Sequence, residues 1–159
     1  MDDLIGRIYG NRVRLRICGI CWWNNSLLLV NHSGMRSGDF WSPPGGGIEF
    51  GQTVAETLVR EFVEETGIKI EPGRFLFTCE FIKHPLHAVE LFFEVKYLSG
   101  TIKTGIDPEL KEGEQIIKNV QWMTVAEIKN HPKEDLHGIF KFCDQPEDIV
   151  KLSGFWHIN

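Results

Sequence analysis

No apolar stretch in these 159 residues approaches the roughly 20 that a membrane helix needs. Runs such as Leu27-Leu28-Leu29-Val30 are far too short, so no membrane partner is expected. Basic residues are also scarce: 17 Lys and Arg face 22 Asp and Glu, a formal net charge of −5. A protein whose main partner is a nucleic-acid backbone usually carries a basic stripe to displace counterions, so that class is disfavoured. An anionic small molecule would need cations gathered locally. The start, Met1-Asp2-Asp3, lacks the basic and apolar regions of a secretory leader, which makes the cytoplasm the expected location. Only four cysteines are present. Cys18 and Cys21 have the spacing of a zinc knuckle, but no matching pair follows and they lie in an extended apolar segment, so buried thiols are the better reading. Repeats, low-complexity tracts and linkers are missing as well, and residues 1–159 read as one domain.

What is present suits a packed interior. The chain is 42% hydrophobic, with eleven Phe and five Trp, and 25% charged, which is an ordinary surface. Arg12 to Trp23 and Ser26 to His32 are rich in strand-forming residues around the turn Asn24-Asn25, which predicts a hairpin. A loop rich in Gly, Ser and Pro follows from Ser33 to Gly47, with Phe40 and Trp41 embedded in it. Thr53-Val54-Ala55-Glu56 has the form of a capping box, so a helix is predicted from about Thr53 to Thr66, stopped by Gly67. Its spacing sends Ala55, Leu58, Val59 and Phe62 toward the core. Phe75 to Ile82 and Ala88 to Leu98 read as an antiparallel strand pair joined by His84-Pro85-Leu86-His87. Val120-Gln121-Trp122 reads as a strand before a second capped helix from Thr124 to near Pro132. Glu134 to Phe142 and Pro146 to Leu152 are further helical candidates. Mixed strands followed by helices indicate an α+β fold, or a sheet sandwiched by helices.

The chemistry concentrates in Gly46-Gly47-Ile48-Glu49-Phe50-Gly51-Gln52-Thr53 and the helix holding Arg60-Glu61-Phe62-Val63-Glu64-Glu65-Thr66-Gly67-Ile68. At about 100° per residue, Glu65 lies about 40° from Glu61 and Glu64 about 60° to its other side. All three acids therefore crowd one surface, near the helix end where the dipole disfavours anions. Alone, such acids would be a solvated helix face. Arg60 reaches Glu56 and Glu64 at i,i+4 spacing but cannot neutralise three carboxylates. Mg²⁺ or Mn²⁺ is the natural counter-charge, because hard cations take carboxylate oxygens.

This segment resembles the Nudix box: Gly, five residues, Glu, seven residues, then Arg-Glu-apolar-x-Glu-Glu-x-Gly-apolar. Gly46, Arg60, Glu61, Glu64, Glu65 and Gly67 match it without a gap, and Phe62 and Ile68 fill the apolar positions. Gln52 departs from it, standing where the family has its first Glu. The likeness extends over roughly Val13 to Ile128. It implies the Nudix fold, a mixed β-sheet sandwiched between α-helices. It also implies hydrolysis of a pyrophosphate linkage in a nucleoside diphosphate joined to another moiety: ADP-ribose, a nucleotide sugar, a nucleoside triphosphate or a dinucleoside polyphosphate.

By the same resemblance, Glu61, Glu64 and Glu65 would be metal ligands, one of them serving as base. The Gly45 carbonyl would be a further ligand, and Arg60 would orient the acids. Glu112 and Glu114 are candidates for an additional carboxylate from the loop before the last strand, Glu114 toward the metal and Glu112 toward substrate. Phe40 and Trp41 are candidates to stack a base, and core packing explains them equally well. His32 is expected near the pocket. Family members often form dimers, so a homodimer is also expected. Two other readings remain: a nucleotide-binding or regulatory module without turnover, suggested by Gln52, and an enzyme acting on capped or triphosphate RNA ends, which the acidic balance disfavours.

Overall fold

The computed structural model describes residues 3–34, 38–106 and 115–158. The elements, in chain order, are helix α1 (Asp3–Tyr9), strands β1 (Val13–Trp23), β2 (Ser26–His32), β3 (Trp41–Ser42) and β4 (Gly45–Gly47), helix α2 (Val54–Thr66), strands β5 (Lys69–Lys83), β6 (Leu86–Ser99) and β7 (Ile117–Thr124), helix α3 (Val125–Asn130), three 3-10 helices (Lys133–Asp135, Gly138–Phe142, Pro146–Lys151) and strand β8 (Gly154–Ile158). The strands run in the order β3-β2-β1-β6-β5-β8, with β4 attached to β1 and β7 to β2. This is the expected mixed sheet between helices.

The predicted hairpin forms but is brief. Only Trp22 with Leu27 and Trp23 with Ser26 pair across it. Upstream, the same edge of β1 is taken by β4, with Arg16 opposite Gly47 and Cys18 opposite Gly45. The other edge runs parallel to β6 from Val13 opposite His87 to Cys21 opposite Val95. Meanwhile β2 turns away to pair with β7 from Ser26 opposite Thr124 to Val30 opposite Val120, and on to Ile117 opposite His32. The sheet therefore splits after the turn.

Strand alternation then divides the core. Ile17 and Cys21 of β1 join Leu28, Val30, Val95 and the α2 residues Leu58 and Phe62 on one side. Cys18 and Ile20 face the other side, with Phe77, Phe92, Ile128, Ile139 and Ile149, under α3 and the 3-10 helices. The thiols of Cys18 and Cys21 are buried and unbridged, as expected. Among the described residues no helix is long and apolar enough to cross a membrane.

Helix α2 has both halves of its capping box, Thr53 accepting from the Glu56 amide and Glu56 accepting from the Thr53 amide, and ends on Gly67 at φ 76. Its buried face differs from the one the apolar spacing predicts. Leu58 and Phe62 are buried, but Ala55 and Val59 face solvent, and the inward stripe instead includes Thr57, Glu61, Glu65 and Thr66. The helix is rotated because its acid-bearing side packs against β4 as well as the sheet. Other boundaries also differ. Strands β5 and β6 are longer than predicted and the turn is confined to His84-Pro85. The segments after α3 are 3-10 turns rather than α-helices. Helix α1, the short β3 and β4, and β8 carry too little periodicity to be seen in sequence.

Gly19 is where α2 meets β1. A Cβ there would lie 2.5 Å from the Phe62 ring and 3.2 Å from Val95. Gly19→Ala should therefore overpack the joint and lower unfolding stability by about 1–3 kcal/mol. An unchanged urea midpoint would show that the Phe62 ring is not seated on this glycine.

Candidate active site

The glycine strand β4 crosses in front of the inward side of α2. Backbone packs so closely here that a Cβ on Gly46 would lie 2.2 Å from Glu61 Oε1, and one on Gly45 2.3 Å from the Ile17 carbonyl oxygen. Only glycine leaves the Glu61 carboxylate its space. The Gly45 amide donates to Glu65 Oε2 at 2.9 Å, and His32 Nε2 lies 3.6 Å from Glu65 Oε1. Glu61 and Glu65 are both 8% exposed, and Glu64 lies further out.

Arg60 ties this side of the helix together. Its Nη1 is 2.9 Å from Glu61 Oε1 and 3.0 Å from Glu64 Oε2, its Nη2 donates to the Gly47 carbonyl at 2.9 Å, and its Nε donates to Gln52 Oε1 at 3.2 Å. It does not bond Glu56, whose carboxylate is committed to the cap. Gln52 Oε1 also accepts from the Thr57 hydroxyl at 3.2 Å, while Gln52 Nε2 donates to Glu49 at 3.1 Å. An amide at position 52 thus supplies the acceptor that fastens Arg60 and Thr57.

A second network meets β4 at the Gly45 carbonyl. Arg16 donates from Nη2 to the Gly45 carbonyl at 2.8 Å and approaches the buried Glu90 at 3.3 Å. Glu90 also accepts from His137 Nε2 at 2.9 Å, and His137 Nδ1 accepts the Ile139 amide at 3.3 Å, which assigns the ring proton to Nε2. One chain of bonds therefore runs Glu90, Arg16, the Gly45 peptide, Glu65. Neither Arg16, Glu90 nor His137 was singled out from sequence. The signal available for Glu90 is an acid within the apolar run Val89 to Val95.

Burial sets the electrostatics. It raises the Glu61 carboxyl to about 8, helped by the neighbouring Glu65 and opposed by Arg60 and Arg16. Burial would raise Glu90 too, but the hydrogen bond from His137 and the charges of Arg16 and Arg14 outweigh it and hold Glu90 well below the ordinary carboxylate range. Glu61 is thus a carboxylate short of positive charge, in a site of hard oxygen donors. Glu61, Glu64, Glu65 and the second lone pair of the Gly45 carbonyl fit a hard divalent cation. Among the described residues no three acid, imidazole or thiol groups form a ready cage for an ion.

The remaining expected residues are divided. Phe40 lines the cavity at the acids together with His32, Arg16 and Arg60. Trp41 is in the core, 4% exposed and beside His131, away from that cavity. Glu112 and Glu114 lie outside the described residues.

A family model of the NUDIX domain matches residues 13–142. The chain belongs to the NUDIX family. Among relatives of this NUDIX chain, an ADP-ribose pyrophosphatase of Methanocaldococcus jannaschii is 31% identical over 96 residues, covering 59% of this chain and 57% of that protein. An uncharacterized Nudix hydrolase of Bacillus subtilis is 33% identical over 94 residues, 58% of this chain and 56% of that one. The chain thus spans little more than half the length of these relatives. A MutT NUDIX hydrolase structure from Burkholderia pseudomallei superposes with a TM-score of 0.67 over 89% of this chain and 98% of that one, at 17% identity, which is a likeness of fold. The NUDIX fold carries its box here on β4, the following loop and α2.

Glu90 provides a test of the second network. Its carboxyl is held below the ordinary 4.5, at about 2, so its stabilising contribution is complete above about 4.5 and is lost as pH falls toward 2. Glu90→Gln should flatten the acid side of the stability profile and, by leaving Arg16 uncompensated, cost about 3–5 kcal/mol at pH 7. Denaturant melts between pH 2 and 7 check both, and parallel profiles for the two proteins would contradict the assignment.

Proposed function

We propose that this chain hydrolyses a pyrophosphate linkage in a nucleoside diphosphate joined to another moiety, with Mg²⁺ or Mn²⁺ held by Glu61, Glu64 and Glu65. The observation that carries it is the buried acid pair Glu61 and Glu65, set against the glycine strand with Glu64 beside them and too little positive charge of its own. The ADP-ribose pyrophosphatase among the relatives places ADP-ribose first in a substrate panel.

A bound divalent ion would neutralise the diphosphate, acidify water and stabilise the leaving oxygen. The chain's own contribution is orientation. Arg60 holds Glu61 and Glu64 as a pair, and the Gly45 amide fixes one oxygen of Glu65. Arg16, anchored by Glu90, holds the Gly45 carbonyl. Water attack at one phosphorus breaks the bridging P–O bond, and the proton it sheds passes to a carboxylate of this acid group. The products are a nucleoside monophosphate and the phosphorylated remainder.

The binding-module reading rests on Gln52, and the contacts of that side chain weaken it. Gln52 Oε1 fastens Arg60 and Thr57 as an acceptor, so the acids keep their support without a charge there. Phe40 remains a candidate substrate contact, and Gly45 a candidate ligand through its carbonyl.

Nucleotide release from ADP-ribose and nucleotide sugars should require Mg²⁺ or Mn²⁺ and stop with EDTA. Glu64→Gln and Glu65→Gln should each lower kcat/KM by about 100-fold or more. Gln52→Glu should change it by less than about tenfold, since the acceptor oxygen is already present. Binding without turnover in the wild type, with activity appearing only in Gln52→Glu, would establish the binding module instead.

A further inference from the structure

Beside the cavity at the acids, of about 70 Å³, lies a larger one of about 300 Å³. Tyr9, Arg14, Arg16, Phe40 and Leu86 line both, so the two adjoin across a common wall. The smaller has room near the acids for little more than a phosphate, whereas the larger reaches the lower range of small-molecule sites. A substrate cleaved at the acids would therefore extend its remaining bulk into the larger cavity.

The lining of that cavity is unusual for this chain. Phe40, Phe81, Leu86, Ala88 and Ile158 provide an apolar wall, and Arg14, Arg16, Lys83 and Lys141 provide four cations. Among the described residues its one carboxylate, Glu90, is committed to Arg16 and His137. The nearby Glu80 is committed to His87 at 3.2 Å and His157 at 3.4 Å. Arg14 stacks on the Tyr9 ring, its guanidinium carbon 3.9 Å from the centroid. Lys83 and Lys141 are exposed, and among the described residues neither makes an ion pair. They arrive from β5 and from the 3-10 helix Gly138–Phe142, distant segments that converge on one cavity. In a protein of net charge −5, the described residues thus place a local excess of cations next to the acid cluster.

We infer that the larger cavity receives the moiety beyond the scissile diphosphate, and that this moiety carries an acid group of its own, a phosphate or a carboxylate, met by Lys83 and Lys141. The apolar wall takes the ring that bears the group. This deepens the hydrolase reading and rests on it for the placement of the diphosphate.

The test uses two matched pairs with Mg²⁺: ADP-ribose against ADP-ribose 1″-phosphate, whose added phosphate sits on the ribose beyond the diphosphate, and UDP-glucose against UDP-glucuronate. The charged member of at least one pair should have a kcat/KM higher by about three- to tenfold, the yield of two solvent-exposed charge contacts. Lys83→Met/Lys141→Met should bring that ratio close to one, as should high salt, which screens exposed charges. A preference confined to the first pair identifies a phosphate, and one confined to the second a carboxylate. Thermal melts of the double variant control for folding. Equal use of both members by the wild type, or a preference that survives in the double variant, overturns the inference. If none of the four compounds is cleaved, the hydrolase reading fails separately. Calorimetric titration of the same compounds then decides on the cavity, with equal affinities for charged and neutral members overturning it.

Discussion

Two carboxylates on the inward side of one helix, Glu61 and Glu65, are the constraint around which the rest of this molecule is arranged. Removing an acid from water is costly unless donors or cations replace the solvent. The fold supplies them from several directions: Arg60 from the helix itself, the Gly45 amide from β4, and the His32 ring from β2. The compensation is incomplete, since Glu61 still has a carboxyl raised to about 8. An incompletely neutralised oxygen cluster is a poor way to stabilise a fold and a good way to hold a divalent cation.

The division of the sheet makes this arrangement possible. One edge of β1 serves β4 early and β2 late, so the glycine strand can lie across the acids while β2 continues to β7. Phe62 against Gly19 fixes the height of α2 above the sheet. The parallel pairing of β1 with β6 puts Arg16 beside Glu90, which connects a buried charge pair to the peptide that holds Glu65. Gly45 therefore joins the acids to this pair, its amide donating to Glu65 and its carbonyl accepting from Arg16.

Charge is distributed to match. The chain as a whole is acidic, yet the space next to the acid cluster gathers arginines and lysines from β1, β5 and a 3-10 turn. An anionic ligand steered by local cations needs no basic surface elsewhere, which reconciles the composition with the proposed phosphate-bearing substrate.

Sequence alone determined the elements whose signals are short-range. The capping box at Thr53, the stop at Gly67 and the spacing of Glu61, Glu64 and Glu65 all depend on neighbours within a few turns, so α2 and its acids were legible, as were the hairpin turn, the long strands and the α+β class. The inward face of α2 was not, because Ala55 and Val59 have the right periodicity and only the position of β4 decides that Thr57, Glu61 and Glu65 are turned in instead. Trp41 could not be assigned to the core rather than the cleft, since both suit an aromatic beside a Pro-Gly loop. Tertiary structure alone decided the partnership of Arg16, Glu90 and His137 and the convergence of Lys83 with Lys141. Those residues are separated by tens of positions along the chain, and no local period relates them. They meet because a parallel strand pairing and a returning 3-10 segment bring them together, and such pairings are chosen by the packing of the whole core.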